Sequence, residues 1–165
     1  MISTQFLRAS PLFRDLDEAE RAQVLIIGQV RSFGTEEVIF REGDAGDGLY
    51  IVIDGNIRIS KHTPSGEEAL AILEANTFFG EMALVDFSTR AADAVANTPT
   101  ETFFIPLKEL RALIECNHAI ALKVLFALCE VLTQRLRDTN DRYITVFTLA
   151  QWGGGMPEGN LFPIP

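Results

Sequence analysis

Glu81 and Arg90 stand nine residues apart, with Gly80 before the first and Ala91-Ala92 after the second. A carboxylate accepts hydrogen bonds from hydroxyls, and a guanidinium presents a planar fork of donors that matches a pair of anionic oxygens. Between them, Gly80-Glu81-Met82-Ala83-Leu84 is long enough for one helical turn whose first amides point outward, a geometry that favours anions. Gly80 also lets the backbone approach closely to whatever sits there. A hydroxyl acceptor beside an anion fork fits a sugar phosphate. The same two side chains could instead form a structural ion pair with no ligand. The small residues Gly80, Ala91 and Ala92 leave room at that place and weigh toward binding.

Other chemistries find less support. His62 and His118 are far apart and lack the further ligands that a metal site needs, so a cupin-type metalloenzyme is the weaker reading. No serine with a partnering His and Asp, and no cysteine in a basic setting, points to covalent catalysis. The expectation is therefore no enzyme and no metal or other cofactor. Cys116 and Cys129, thirteen residues apart in helical segments, form neither a disulfide framework nor a metal spacing, which fits a reducing compartment.

The net charge of −9 and the absence of a basic run argue against a nucleic-acid surface, because duplex binding draws its affinity from clustered Lys and Arg. The N-terminus has no apolar run with a cleavage site, and no stretch reaches the length of a membrane span. A cytoplasmic protein without membrane or nucleic-acid partners is expected. With 165 residues, 47% of them hydrophobic, the chain suffices for one domain with a sizeable core.

The elements that must position Glu81 and Arg90 follow from periodicity and turn residues. Asp17 with Glu20 makes a capping-box start for a helix running to about Val30. From Arg31 to Pro106, short strands alternate with turn residues every eight to twelve positions, the pattern of an antiparallel roll. Strands are expected at 38–40, 48–53, 57–61, 69–73, 92–96 and 100–105, with Asp54-Gly55 as a tight hairpin turn. The Gly80 turn and the loop from Val85 to Thr89 interrupt the roll. Leu107 to Glu115 reads as a short helix, and Asn117 caps a long one reaching about Ala150, some thirty residues or about 50 Å. Along it Leu122, Leu125, Cys129, Leu132, Leu136, Thr139, Tyr143, Val146 and Ala150 keep heptad spacing, a seam for a second copy. Val124, Phe126, Leu128, Val131, Ile144 and Phe147 lie off the seam and could pack on the roll. The glycine- and proline-rich segment 151–165 reads as a flexible tail.

The segment Phe78-Phe79-Gly80-Glu81-Met82-Ala83-Leu84-Val85-Asp86-Phe87-Ser88-Thr89-Arg90-Ala91-Ala92 resembles the phosphate-binding cassette of cyclic nucleotide-binding domains. Phe40-Arg41-Glu42-Gly43-Asp44-Ala45-Gly46-Asp47-Gly48-Leu49-Tyr50, followed by Ile53-Asp54-Gly55, is similar to the glycine framework of the same family. The resemblance covers nearly the whole chain. It implies a mainly β fold with flanking helices: an antiparallel β-roll, jelly-roll-like, with an N-terminal helical segment (1–30), the roll (31–106) with its cassette (78–92), and C-terminal helices (107–150).

It also implies a function, the binding of a cyclic nucleotide, with cAMP the first choice and cGMP the second. Glu81 would accept the ribose 2′-hydroxyl, Arg90 would pair with the cyclic phosphate, and the amides of Ala83 and Ala91 would complete the cradle. The implied contact set is Gly80, Glu81, Met82, Ala83, Arg90 and Ala91. In related bacterial catabolite activators a Thr-Ser pair on the long helix touches the base; here Thr139 and Asn140 stand at the matching distance, with Asn in place of Ser. Trp152 and Tyr143 are further candidates for stacking on the base. Ala91 lacks the hydroxyl that relatives favouring cGMP often carry beside the arginine. About fifteen residues follow Ala150, which leaves no winged helix for DNA binding in this sequence, so the expected output is a homodimer contact or an unidentified effector protein. A dimerising module of the same fold that no longer binds nucleotide is the alternative.

Overall fold

The computed structural model describes residues 2–64, 66–86 and 88–152, so the expectations for Phe87 and for the tail from residue 153 onward lie outside the described residues, as do the side chains of residues 86 and 150–152, Trp152 among them. The chain divides into two compact units, residues 1–128 and residues from Cys129 onward. The first opens with α1 (Thr4–Ala9) and α2 (Glu18–Ile27), followed by β1 (Gln29–Phe33), β2 (Val38–Phe40), β3 (Gly48–Asp54), β4 (Ile57–Thr63), β5 (Gly66–Leu73) and β6 (Phe78–Phe79). Then come α3 (Met82–Asp86), β7 (Asp93–Ala96), β8 (Thr100–Pro106) and α4 (Leu107–Cys116). The helix α5 (His118–Trp152) begins in the first unit and makes up the described part of the second.

The strands form two four-stranded antiparallel sheets, ordered β1-β8-β3-β6 and β2-β7-β4-β5. Residues that alternate along each strand meet between the sheets. Tyr50, Val52, Phe79 and Phe104 from the first sheet pack with Ile57, Ala94 and Ala96 from the second. The opposite face of β3 and β8 is also covered: Leu49, Ile51, Phe103 and Ile105 are buried, and the Phe6 ring of α1 meets Phe103 edge-on at 6.2 Å. Burial on both faces explains why Leu49-Tyr50-Ile51-Val52 is a continuous apolar run and not an alternating one.

The hairpin turn at Gly55 has φ +83°, where an added Cβ would also strike Thr100 and Pro99. The capping box of α2 forms: Glu20 N–H donates to Asp17 Oδ1 at 2.8 Å and Asp17 N–H donates to Glu20 Oε2 at 2.7 Å. Lys123 of α5 also pairs with Glu20 Oε2 at 2.6 Å, tying the start of α5 to α2. The helix expected to reach Val30 ends instead at Ile27. Gly28 leaves it in an extended conformation and Gln29 and Val30 pair with Phe104 and Phe103 in the sheet. At the start of α5, the side chain of Asn117 accepts from the amides of Ala119 and Ile120 at 3.1 and 3.2 Å, the expected cap.

Candidate functional site

Arg90, near the end of the cassette, is buried, its side chain only 2% exposed. Three elements hold it. Its Nη2 donates to Asp47 Oδ1 at 2.6 Å and to the carbonyl of Gly48, the first residue of β3, at 2.8 Å. Its Nη1 donates to the carbonyl of Gly80 at 3.0 Å, and its Cζ lies 4.1 Å from the centre of the Phe40 ring of β2, a cation–π contact. The Nε–H has no acceptor among the described residues, although the atom is buried. A buried donor left unmade costs about 1 to 3 kcal/mol, so it marks a place where an acceptor belongs.

The backbone around Arg90 is laced to the glycine loop that precedes β3. Gly43 N–H donates to the Arg90 carbonyl at 2.9 Å, Arg90 N–H donates to the Asp44 carbonyl at 2.8 Å, and Ala45 bridges Thr89. The buried carboxylate of Asp93 accepts from Glu42 N–H at 2.6 Å and closes the same seam. Gly46 packs so tightly on Ala83 that an added Cβ would overlap the alanine methyl. The loop therefore carries Asp47 to Arg90 while its glycine admits the cassette.

Gly80 has φ +78°, the left-handed region that glycine occupies freely, and a Cβ there would overlap the Arg90 guanidinium. Glu81, directly before the short α3, is 4% exposed, and its carbonyl accepts from Leu84 N–H at 2.9 Å. Ala83 is buried at 3%, whereas Met82 is half exposed and Ala91 is exposed. From α4, Arg111 Nη2 donates to the carbonyls of Ala83 and Leu84 at 2.6 and 3.2 Å, fastening the cassette helix to the next element. The structure thus brings Gly80 and Arg90 into contact, with Glu81 and Ala83 buried beside Gly80 in the chain. Thr139 and Asn140 lie in the second unit, exposed on α5, and the Thr139 hydroxyl donates to the carbonyl of Arg135 at 2.8 Å.

Two residues stand out that motif reading did not assign to the site. Asp47 belongs to the glycine framework and was visible there only as a loop residue. Arg31 of β1 has no local signal at all: it reaches Asp47 through the pairing of β1 with β8 and of β8 with β3.

The model of the cyclic nucleotide-binding domain matches residues 30–117, more than half of the chain, and so spans the glycine loop, the cassette and α4. The chain belongs to the cyclic nucleotide-binding domain family. Its relatives include the cyclic AMP receptor protein of Thermus thermophilus, 34% identical over 81% of this chain and 61% of that protein. Another is a cAMP-dependent protein kinase regulatory subunit from Mycosarcoma maydis, 32% identical over 59% of this chain and 18% of that protein. The chain thus spans less than two thirds of these relatives. A solved cyclic nucleotide-binding domain from Methylobacillus flagellatus superposes with a TM-score of 0.79 at 26% identity, covering 96% of this chain and 84% of that one. The expected β-roll with N-terminal helices and a long C-terminal helix is the fold observed. Among the described residues no helix is long and apolar enough to cross a membrane.

Proposed function

We propose that this chain binds a cyclic purine nucleotide reversibly, cAMP in preference to cGMP, and passes its occupancy to a protein partner through α5. The observation that carries this reading is the buried Arg90, whose Nε–H lacks an acceptor among the described residues while its Nη1 and Nη2 hydrogen bonds hold it in place. A cyclic phosphodiester brings one negative charge and two free oxygens, enough to satisfy Nε and compete with Asp47 for Nη2. Glu81 is the acceptor for the ribose 2′-hydroxyl, and the amides of Ala83 and Ala91 complete the phosphate cradle. Met82 borders it. Thr139 and Asn140 are the proposed base contacts from α5, and Ala91, without a hydroxyl, favours adenine over guanine. No metal or prosthetic group takes part.

Signalling through α5 is supported by a groove of about 630 Å³ in which Leu84 and Val85 of the cassette helix, Ile114 of α4 and Leu122 and Leu125 of α5 share one apolar lining. A shift of α3 therefore changes the surroundings of α5, and a ligand that prefers one arrangement moves the population toward it. Homodimerisation is supported by the expected heptad seam, of which Leu122, Leu125, Leu136, Tyr143 and Val146 are exposed. The charge of −9 favours a protein over nucleic acid as the next partner. Cys116 and Cys129 are free and exposed, which accords with the cytoplasm as the proposed location.

A second reading, a dimerising module that does not bind nucleotide, draws on the occupation of Arg90 Nη2 by Asp47 and on the same exposed seam. Calorimetric titration with cAMP, cGMP and 5′-AMP separates the two. The first reading expects saturable binding, tightest for cAMP, and a loss of about 2 to 5 kcal/mol in Arg90→Ala. No heat with any of the three would leave the interaction module.

A further inference from the structure

Asp47 faces two arginines with two different oxygens. Its Oδ1 lies 2.6 Å from Arg90 Nη2, and its Oδ2 lies 3.7 Å from Arg31 Nη1. The second arginine also has contacts of its own. Its Cζ lies 3.3 Å from the centre of the Phe104 ring, and its Nη1 donates to the Tyr50 hydroxyl at 3.1 Å. Burial raises the titration of Tyr50 above its ordinary value, so the hydroxyl stays a neutral acceptor. The three groups differ in freedom: the Arg90 side chain is 2% exposed, Arg31 34% and Asp47 53%. Asp47 can therefore swing, and Arg90 cannot.

We propose that Arg31 is a positioning residue for anion binding, taking over the Asp47 carboxylate when a phosphate occupies Arg90. The proposal rests on the assignment of Arg90 to a ligand phosphate. The charge count gives the reason. Arg31, Arg90 and Asp47 sum to one positive charge, which a phosphodiester neutralises; without Arg31 the same arrival leaves a carboxylate and a phosphate competing for one guanidinium. A carboxylate displaced toward Arg31 is turned away from the phosphate and keeps a counter-charge, so its repulsion with the ligand falls.

The test is a calorimetric cAMP titration of the wild type, Arg31→Gln, Asp47→Asn and the double variant, with Arg31→Lys as the charge-conserving control. Arg31→Gln should lower affinity about two- to fivefold in the wild-type background, the scale of one partly exposed charge pair. In the Asp47→Asn background the same substitution should cost less than about twofold, because the group that Arg31 relocates is gone. Arg31→Lys should stay within about twofold of wild type, which separates the role of the charge from packing on Phe104. Equal losses in both backgrounds, or none in the wild type, would overturn the proposal while leaving nucleotide binding intact. A wild type that shows no cAMP binding would overturn the phosphate assignment and this proposal with it.

Discussion

The carboxylate of Asp47 holds Nη2 of Arg90 at 2.6 Å, so the guanidinium best placed for a ligand phosphate is already engaged by the glycine loop of its own chain. On the proposed reading, nucleotide binding is an exchange of acceptors at one buried cation. Asp47→Asn separates the two consequences. It leaves Arg90 without its counter-charge, which costs about 1 to 2 kcal/mol once the half exposure of Asp47 is discounted. The thermal midpoint of the ligand-free protein should fall, and the rise produced by saturating cAMP should exceed that of the wild type. A lowered midpoint with an unchanged cAMP response would show that Asp47 does not compete with the ligand.

Gly80 and Gly43 form a matched pair for substitution. Both have positive φ, +78° and +87°, but only at Gly80 would a Cβ meet Arg90, whereas at Gly43 nothing lies within 4 Å. Gly43→Ala should cost about 1 kcal/mol of stability with cAMP affinity nearly intact. Gly80→Ala carries the same backbone strain plus displacement of the guanidinium, about 1 to 3 kcal/mol in all, and should lower affinity by about tenfold or more. Equal affinities for the two variants in a fluorescence titration would mean that the contact of Gly80 with Arg90 does not shape the site.

Away from the cassette, Arg58 of β4 ties three segments together. It donates to both Glu36 oxygens at 3.1 and 3.0 Å, to Asn97 Oδ1 at 3.3 Å and to Glu67 Oε1 at 3.3 Å. The Arg58 hydrogen bonds hold the Glu36 carboxyl below its ordinary 4.5, and the Ser60 hydroxyl, with a smaller contribution from Arg58, does the same for Glu67. A carboxylate depressed in the folded state adds stability above its unfolded value and loses it as pH falls through the folded one. The difference in thermal midpoint between wild type and Arg58→Gln should therefore be widest at neutral pH and close as pH drops below 4.5. A gap that persists unchanged to about pH 3 would contradict the ion-pair account.

The second unit supplies a separable prediction. Leu136 and Val146 are 61% and 66% exposed on α5, on the seam proposed to bind a second copy. Burying a leucine side chain is worth about 1.5 to 3 kcal/mol, and Leu136→Lys removes that from both protomers. Sedimentation equilibrium should show a dimer for the wild type and at least a tenfold weaker one for the variant. A wild-type monomer, with and without cAMP, would reduce the seam to a helix face with another role.

How much of this was legible beforehand depended on how local each cause is. Gly80, Glu81 and Arg90 sit within one short segment, so their spacing could be read directly. Asp47 lies 43 residues before Arg90, and their meeting depends on the antiparallel closure of the roll, which no local pattern encodes. Arg31 needed the register of β1 on β8, and that register is also what ended α2 early: the helix expected to run to about Val30 gave way to pairing of Gln29 and Val30 with Phe104 and Phe103. A Cβ on Gly28 would overlap the Phe103 ring, so this glycine serves the packing of the junction as well as the helix stop. Two elements were too short for periodicity to reveal, α1 at Thr4–Ala9 and β6 at Phe78–Phe79, yet both are anchored by buried side chains, Leu7 in the first and both phenylalanines in the second. The hairpin at Gly55 and the capping box at Asp17 were legible because their chemistry is complete within four residues.

The most direct test of the central claim is the Nε–H signal of Arg90 in a nitrogen–proton correlation spectrum, assigned by its disappearance in Arg90→Lys and followed through a cAMP titration. A donor without an acceptor that gains a phosphate oxygen should shift strongly downfield and saturate with the same midpoint as the calorimetric isotherm. A signal that stays in place while cAMP saturates the protein, or a protein that cAMP does not saturate, would contradict the assignment of Arg90 as the phosphate-binding residue.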